Sequence, residues 1–377
     1  MCDKVRVMIF SAINPKQKTG YYNAVTDRVM ELKKNELLDV RAYSFYKSDS
    51  YFCFNLRNEC GIAYFGYPKL LPSTGLFSCI LLFLITLSMT IIYYHFKPNI
   101  VHAHWGYPIG YCAAILKRIT SRVKLITTFH GSDVHTHPLR SNDVFKRTHY
   151  AILNSDVVTA VSSSLANQIM KIFNFESEVI VTHNGIAFEE IITLNSSHSK
   201  NRVFSYFGNL NKIKGADRIP DLYCSLRHSF GSDFVFYVAG TGPLSDNILK
   251  FIESNKIDNL IMLGEISRSE VYKIMSISDC VFVLSREEGL GISAIEALIY
   301  SRLCIAINVG GLSEVFVEHE DLLIDEFIAK NIVDKYIKLE ASEYEVSKKS
   351  IIEKFSLRKC VMNEVNIYLC CIEQEAI

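Results

Sequence analysis

The chain has 377 residues, 49% of them hydrophobic, which is too long for one ordinary domain and apolar enough for two buried cores. Its 40 Lys and Arg balance 40 Asp and Glu, so no overall polycationic surface exists and no nucleic-acid partner is expected. Eleven cysteines are an odd number without a CxxC pair, and Cys53, Cys60, Cys79, Cys112, Cys224, Cys280 and Cys304 sit mostly in apolar runs. This usage excludes a disulfide framework and fits small hydrophobes in a reduced, cytoplasmic protein.

In chain order, Lys4 and Arg6 precede only the short apolar run "VMIF", so no signal peptide is expected. Short β-branched and aromatic runs then alternate with amphipathic stretches, the pattern of βαβ units and parallel sheets. The strands expected in the first half are "KVRVMIF", "LDVRAYSFY", "NIVHAH", "KLITTFH", "VVTAVS" and "EVIVTHNG". Helices are expected at 25–35, 110–120 and 163–173. His102 and His104 alternate on one strand and so share a side, but no third metal ligand is evident. They read as strand-end residues lining an acceptor cleft.

Residues 76–94, "LFSCILLFLITLSMTIIYY", form 19 residues without a charge, long enough to cross a bilayer. A span would separate residues 1–75 from the strand "NIVHAH" that shares their sheet, so it is rejected. Two readings stay open: a core helix packed on the sheet, or a helix whose outer face, including Leu82 and Ile91, rests in the membrane interface at the inner face of the cell membrane. Residues 1–190 carry 20 Lys and Arg against 14 Asp and Glu, and the remainder 20 against 26. The basic half suits an anionic surface or substrate, although solvated faces also produce such imbalances.

A composition break follows at "NSSHSKN", within a linker expected at 191–201. The strand pattern then restarts with "VFSYFG", "FVFYVAG", "LIMLG", "CVFVLS" and "LCIAIN". The fold class is therefore α/β, two Rossmann-like doubly wound parallel-sheet domains facing across a cleft: 1–190, then 202–355, with 356–377 a C-terminal helix crossing back to the first. Ligands of such sheets bind at the carboxyl ends of the strands.

Three loops are expected on that edge in the second half: "GNLNKIKG", Gly208 to Gly215, with Lys212 and Lys214; "AGTGP", with Gly240 and Gly242; and "SREEGLGISAIEAL", Ser285 to Leu298. Glycines let backbone approach a ligand, and a helix N-terminus attracts phosphate. Glu288 then lies beside the phosphates, and Glu296, eight residues on, reaches a hydroxyl pair such as a ribose diol. Taken singly, each loop also reads as an ordinary turn. Taken together they suit a nucleotide diphosphate sugar.

The order of "GNL…KG", "AGTGP", "LGEI…VYKIMSISDCVFVLS", "EEGLGISAIEAL" and "NVGGLSEV" resembles the retaining family 4 glycosyltransferases of the GT-B fold, glycosyl transferases group 1. In the first half "KPNIVHAHW", "TTFHGSD", "SDVVTAVSSSLA" and "VTHNGI" follow the family's order more loosely. The resemblance implies that Glu288 contacts the donor sugar, Glu296 holds the ribose and Lys214 neutralises the diphosphate. It implies further that Gly289, Leu290 and Gly291 cradle the donor through their backbone, that His130 faces the reacting sugar, and that Gly20 lies near the phosphates. Gly208, Asn209, Gly240 and Gly242 complete the donor-binding set.

The chain departs from the pattern at Asn209, where the family has Arg, at a phosphate loop reduced to Gly20, at Ala187, where an Asp is common, and at Ser301 and Leu303 in place of a Gly and Pro turn. Lys212 or Arg286 is the expected substitute for the missing arginine. No D-x-D occurs, so neither a metal nor another cofactor is expected. The implied reaction moves a sugar to a hydroxyl of a glycan or lipid-linked acceptor in bacterial surface polysaccharide synthesis, including lipopolysaccharide, with peripheral membrane contact possible through 76–94. A non-hydrolysing sugar-nucleotide 2-epimerase and a degenerate donor-binding scaffold share the architecture.

Overall fold

The computed structural model describes residues 4–16, 20–50, 54–71, 78–188 and 201–373. Apart from Asn201, the linker expected at 191–201 lies outside the described residues, as do residues 76–77 and 374–377. By packing, the chain divides into two units, Met1–Ala187 with Phe355–Ile377, and Phe188–Lys354.

The first unit is built on an eight-stranded sheet of order β3-β4-β2-β1-β5-β6-β7-β8. The strands are β1 Val5–Ser11, β2 Leu38–Lys47, β3 Asn55–Glu59, β4 Ile62–Tyr67, β5 Ile100–His104, β6 Lys124–Phe129, β7 Val157–Ala160 and β8 Ile180–Val181. Every residue of β5 is buried, as a central parallel strand with both faces covered requires. On one face the helices Gly20–Leu32 and Leu357–Glu373 pack through Val25, Val29, Val361 and Val365. The helices Ser78–Phe96 and Tyr111–Thr120 cover the other through Leu81, Ile85, Met89 and Leu116.

The sheet is parallel as expected except at one edge. β3 and β4 form a hairpin in which β4 runs parallel to β2 and β3 antiparallel to β4. Its two-residue turn, Cys60 and Gly61, has positive φ at both positions, 49° and 69°, the backbone twist that a tight hairpin demands. A cysteine carries no turn signal, and the exposed, polar β3 lacks the apolar run by which the other strands are legible. The first helix also begins five residues earlier than its apolar spacing indicates, at Gly20.

The Ser78–Phe96 helix has two different faces. Leu81, Leu82, Ile85, Met89 and Phe96 enter the core, whereas Ile80, Phe83, Ile91 and Tyr94 are each more than half exposed. Leu82, expected on the outer face, is therefore a core residue. The helix is long and apolar enough to cross a membrane by length and composition, and a third of that stretch is buried within the protein.

The second unit is a six-stranded parallel sheet of order β11-β10-β9-β12-β13-β14. Its strands are β9 Arg202–Phe207, β10 Phe234–Ala239, β11 Leu260–Gly264, β12 Cys280–Val283, β13 Leu303–Ile307 and β14 Leu323–Ile324. The helix Arg268–Ile277 starts at a capping box in which Ser267 and Glu270 satisfy each other's backbone N–H. In each sheet the chain steps to one side and then crosses back, so strand order reverses between β1 and β5 and between β9 and β12.

The first unit is pinned internally by a buried ion pair. Arg28, from the first helix, meets Glu364, from the last, at 3.0 Å, and both side chains are almost fully enclosed. Arg28 Nη2 also donates to the His183 carbonyl and to Asn184 Oδ1. Burial alone raises the Glu364 carboxyl, but Arg28, with hydrogen bonds from His102 and Tyr368, holds it down at about 2. Removing one partner strands the other charge in the core. Glu364→Ala is therefore expected to lower stability by about 3–5 kcal/mol, read by denaturant unfolding.

Candidate functional site

In the second unit, the loops that leave β9 and β12 sit side by side at the reversal of strand order, the place where doubly wound sheets bind ligands. The β9 loop is stitched to the β10 loop by Gly208 N–H to the Ala239 carbonyl, 3.1 Å, and by Leu210 N–H to the Thr241 carbonyl, 2.9 Å. Gly240 makes this approach possible. Its φ is +132°, and a Cβ there would lie 2.0 Å from the Gly208 carbonyl oxygen. Tyr206, buried under the turn, donates its hydroxyl to the Lys214 carbonyl at 3.0 Å. Arg286 N–H donates to the Ile213 carbonyl at 2.7 Å, joining the β12 loop to the same turn.

This stitching brings Lys214 Nζ to 2.7 Å from Glu288 Oε1. Ser285 Oγ donates to the same carboxylate oxygen at 2.8 Å, and the Glu288 carbonyl accepts from Gly311 N–H at 3.2 Å. Glu288 is 7% exposed, so it is no solvated loop acid. The helix Ile292–Tyr300 begins immediately afterwards. Its N-cap is Gly291, at φ +92°, with no side-chain cap bond, and a Cβ there would run into Leu312 at 2.4 Å. The N–H groups of a first helical turn have no intrahelical acceptors, so this end of the helix favours an anion. Leu290 is buried.

Glu296 lies one turn further along that helix. Its Oε1 accepts from the Tyr272 hydroxyl at 3.0 Å and stands 3.7 Å from Arg268. Tyr272 is held by stacking on Tyr300 at 4.2 Å between ring centres. Asn209 is exposed at the tip of the β9 turn. Arg286, one expected substitute for the family's arginine, is committed elsewhere: its guanidinium pairs bidentately with Asp217 at 2.7 and 2.8 Å and donates to the Lys212 carbonyl. Lys212 itself is exposed. Where the family turns with Gly and Pro, Ser301 Oγ donates to the Ala297 carbonyl at 2.6 Å and lies 2.8 Å from the Leu303 carbonyl, making the same turn by side-chain hydrogen bonds.

In the first unit, His130 follows β6 and its turn is fixed by Asp133. One carboxylate oxygen accepts the N–H groups of His130 at 3.0 Å and Gly131 at 2.9 Å, and the other accepts from Gly106 at 3.3 Å. Burial pushes the Asp133 carboxyl up to about 6 against the pull of those donors. Tyr21 stands edge-on to His130 at 4.7 Å, and Trp105, at φ 86°, lies 4.2 Å from Tyr21. Gly20, next to Tyr21, thus opens the helix at the end of the sheet where His130 lies.

His102 and His104 stand at the end of β5 as expected, but their burial corrects the expectation that they line an acceptor cleft. Both are fully buried, and a third group, Glu364, joins them. Sequence reasoning missed Glu364 because it lies more than 250 residues away, on a helix that reads as apolar. The three could group about a metal by distance, but the ligand atoms of His102 and Glu364 are already engaged. His102 Nδ1 meets the Tyr368 hydroxyl at 2.7 Å, its Nε2 meets Thr128 Oγ1 at 2.7 Å, and Glu364 pairs with Arg28. Ser285, Tyr206 and Tyr272, which hold the acidic and basic groups in place, were likewise missed. Ser285 stood in the quoted loop, whereas the tyrosines carry no local signal.

The family model for glycosyl transferases group 1 matches residues 188–354, and that for glycosyltransferase family 4 matches residues 55–190. An uncharacterized glycosyltransferase of Methanocaldococcus jannaschii is 31% identical over 280 residues, 72% of this chain and 75% of that protein. A putative teichuronic acid biosynthesis glycosyltransferase of Bacillus subtilis is 28% identical over 64% of this chain and 61% of its own length. Among solved structures, an Anabaena protein in complex with UDP and glucose superposes with a TM-score of 0.73 over 96% of this chain and 99% of that one. Its identity is 14%, so this likeness bears on the fold. The chain belongs to the glycosyl transferases group 1, the retaining family 4 glycosyltransferases of the GT-B fold.

Proposed function

We propose that this glycosyltransferase takes a sugar from a nucleotide diphosphate sugar and transfers it, with retention and without a metal, to a hydroxyl of a glycan or lipid-linked acceptor in bacterial surface polysaccharide assembly. Residues 202–355 hold the donor and residues 1–190 serve the acceptor. The observation that carries this reading is the Lys214–Glu288 pair at the reversal of strand order, beside an uncapped helix N-terminus. Lys214 and the amides of Gly289 to Gly291 neutralise the diphosphate as it leaves, which is the kind of preorganised stabilisation that dominates many enzymes. Glu288 accepts from the donor sugar's hydroxyls, Glu296 holds the ribose diol, and His130 meets the reacting sugar. Gly208, Asn209, Gly240 and Gly242 line the donor with backbone, and Gly20 contributes near the phosphates.

In the chemical step the bond from the anomeric carbon to the diphosphate oxygen breaks. The acceptor oxygen attacks that carbon from the same face, and its proton passes to a diphosphate oxygen. A role in surface polysaccharide assembly is supported by the Bacillus subtilis relative's name. A seat at the inner face of the cell membrane is supported by the outward apolar row Ile80, Phe83, Ile91 and Tyr94 on a helix without charge, within a basic half of the sequence.

Two measurements test the reading. Purified chain is offered a panel of UDP-, GDP- and ADP-sugars with a lipid extract, and one donor is expected to give product of retained anomeric configuration. Lys214→Ala, Glu288→Gln and His130→Ala are each expected to lower turnover about 10²–10³-fold in a chain that stays folded. Undiminished turnover removes the assigned role, and nucleotide binding without turnover in the native chain leaves a donor-binding scaffold instead. Separately, the chain is expected to sediment with vesicles rich in anionic phospholipid, and to be released by high salt or by Phe83→Asp with Ile91→Asp. A native chain that stays in the supernatant at low salt removes the membrane seat.

A further inference from the structure

His104 is completely enclosed at the end of β5, yet it makes one polar contact among the described residues: its Nδ1 lies 3.0 Å from His130 Nε2. The outer nitrogens of the pair, His104 Nε2 and His130 Nδ1, are buried and have no hydrogen-bond partner among the described residues. Burial depresses both imidazoles well below their ordinary value, with His102 next in weight at His104 and Arg28 next at His130, so both rings are neutral at neutral pH. Two neutral rings joined nitrogen to nitrogen share one proton along the bond. If His104 donates, His130 carries its proton on Nδ1. If His130 donates, its Nδ1 is a bare acceptor. The tautomers of the two rings are therefore tied to each other.

The surroundings hold His104 in that role. Its ring stacks on His102 at 4.4 Å between centres and 28° between planes. The buried carboxylate of Glu364, paired with Arg28, accepts from the Tyr368 hydroxyl, and Tyr368 in turn accepts from His102 Nδ1. His102 Nε2 meets Thr128 Oγ1 at 2.7 Å, and Thr128 Oγ1 meets Thr159 Oγ1 in turn. Both His102 nitrogens are thus engaged, and among the described residues His104 hydrogen-bonds to His130.

We infer that His104 is a positioning residue for His130: its Nδ1 fixes the orientation and the tautomer of that ring. The inference rests on the reading of His130 as the residue that meets the sugar. The measurement needs no donor, so its failure and the failure of that reading are told apart: undiminished turnover in a His130→Ala chain removes the reading, whereas the ring pair is read in the native chain.

The test uses the full chain labelled with ¹⁵N in the histidine rings, compared with His104→Asn, His104→Gln and His104→Ala. Asparagine places an amide where Nδ1 was, glutamine where Nε2 was, so size and polarity stay close while the contact differs. In the native chain a scalar coupling between His104 Nδ1 and His130 Nε2 is expected, with the two His130 nitrogens widely separated in shift as in a single tautomer. His104→Asn is expected to preserve that separation. His104→Gln and His104→Ala are expected to lose it, with a severalfold change in tautomer ratio. Absence of the native coupling, or any other ranking of the variants that remain folded, overturns the inference. A merely space-filling His104 would make asparagine and glutamine equivalent.

Discussion

A lysine and a carboxylate held 2.7 Å apart at the carboxyl edge of a parallel sheet organise the second unit. Neither charge is free to take solvent fully. Glu288 is buried, and its carboxylate is met by Lys214 and Ser285 together. Each of those groups is positioned by backbone: Lys214 by the turn that Tyr206 supports, Ser285 by the end of β12. The loops can close this tightly because Gly240 admits a carbonyl where a side chain would collide. The need to hold this lysine and carboxylate together thus explains Gly240, the buried tyrosine and the serine at once.

The first unit solves a different electrostatic problem. It buries an arginine and a glutamate against each other and spends the remaining hydrogen bonds on His102, Tyr368, His183 and Asn184. A buried ion pair contributes little net stability over a hydrophobic replacement, because desolvation offsets its attraction. What it supplies here is placement: it ties the first helix to the last, and through His102 it fixes the histidines on β5. The C-terminal helix is thereby part of the same packed unit as β1 and β5.

Strand runs such as "KLITTF", "FVFYVA" and "LCIAI" are read within a residue of their ends, because a central parallel strand is nearly continuous in apolar residues. β3 escaped because it is an exposed, polar strand and its turn into β4 is Cys-Gly. Lys214, Glu288 and Glu296 were legible as candidates since their loop glycines and helix pattern are local features. Their mutual geometry was not, and neither was the diversion of Arg286 to Asp217. On the 76–94 stretch, composition alone left two readings open, and packing divides its residues by face: Leu82 is inside and Phe83 outside.

The sequence by itself determined the alternation of strand and helix, the restart of the pattern after residue 201, and the family, because these depend on periodicity and on short motifs with local backbone demands. Tertiary structure alone decided which distant groups meet. Glu364 reaches His102 and Arg28 only when the last helix packs on the first sheet, and Tyr272 reaches Glu296 only when two helices of the second sheet lie together. Contacts between residues far apart in the chain depend on strand order and helix docking, which no local pattern records.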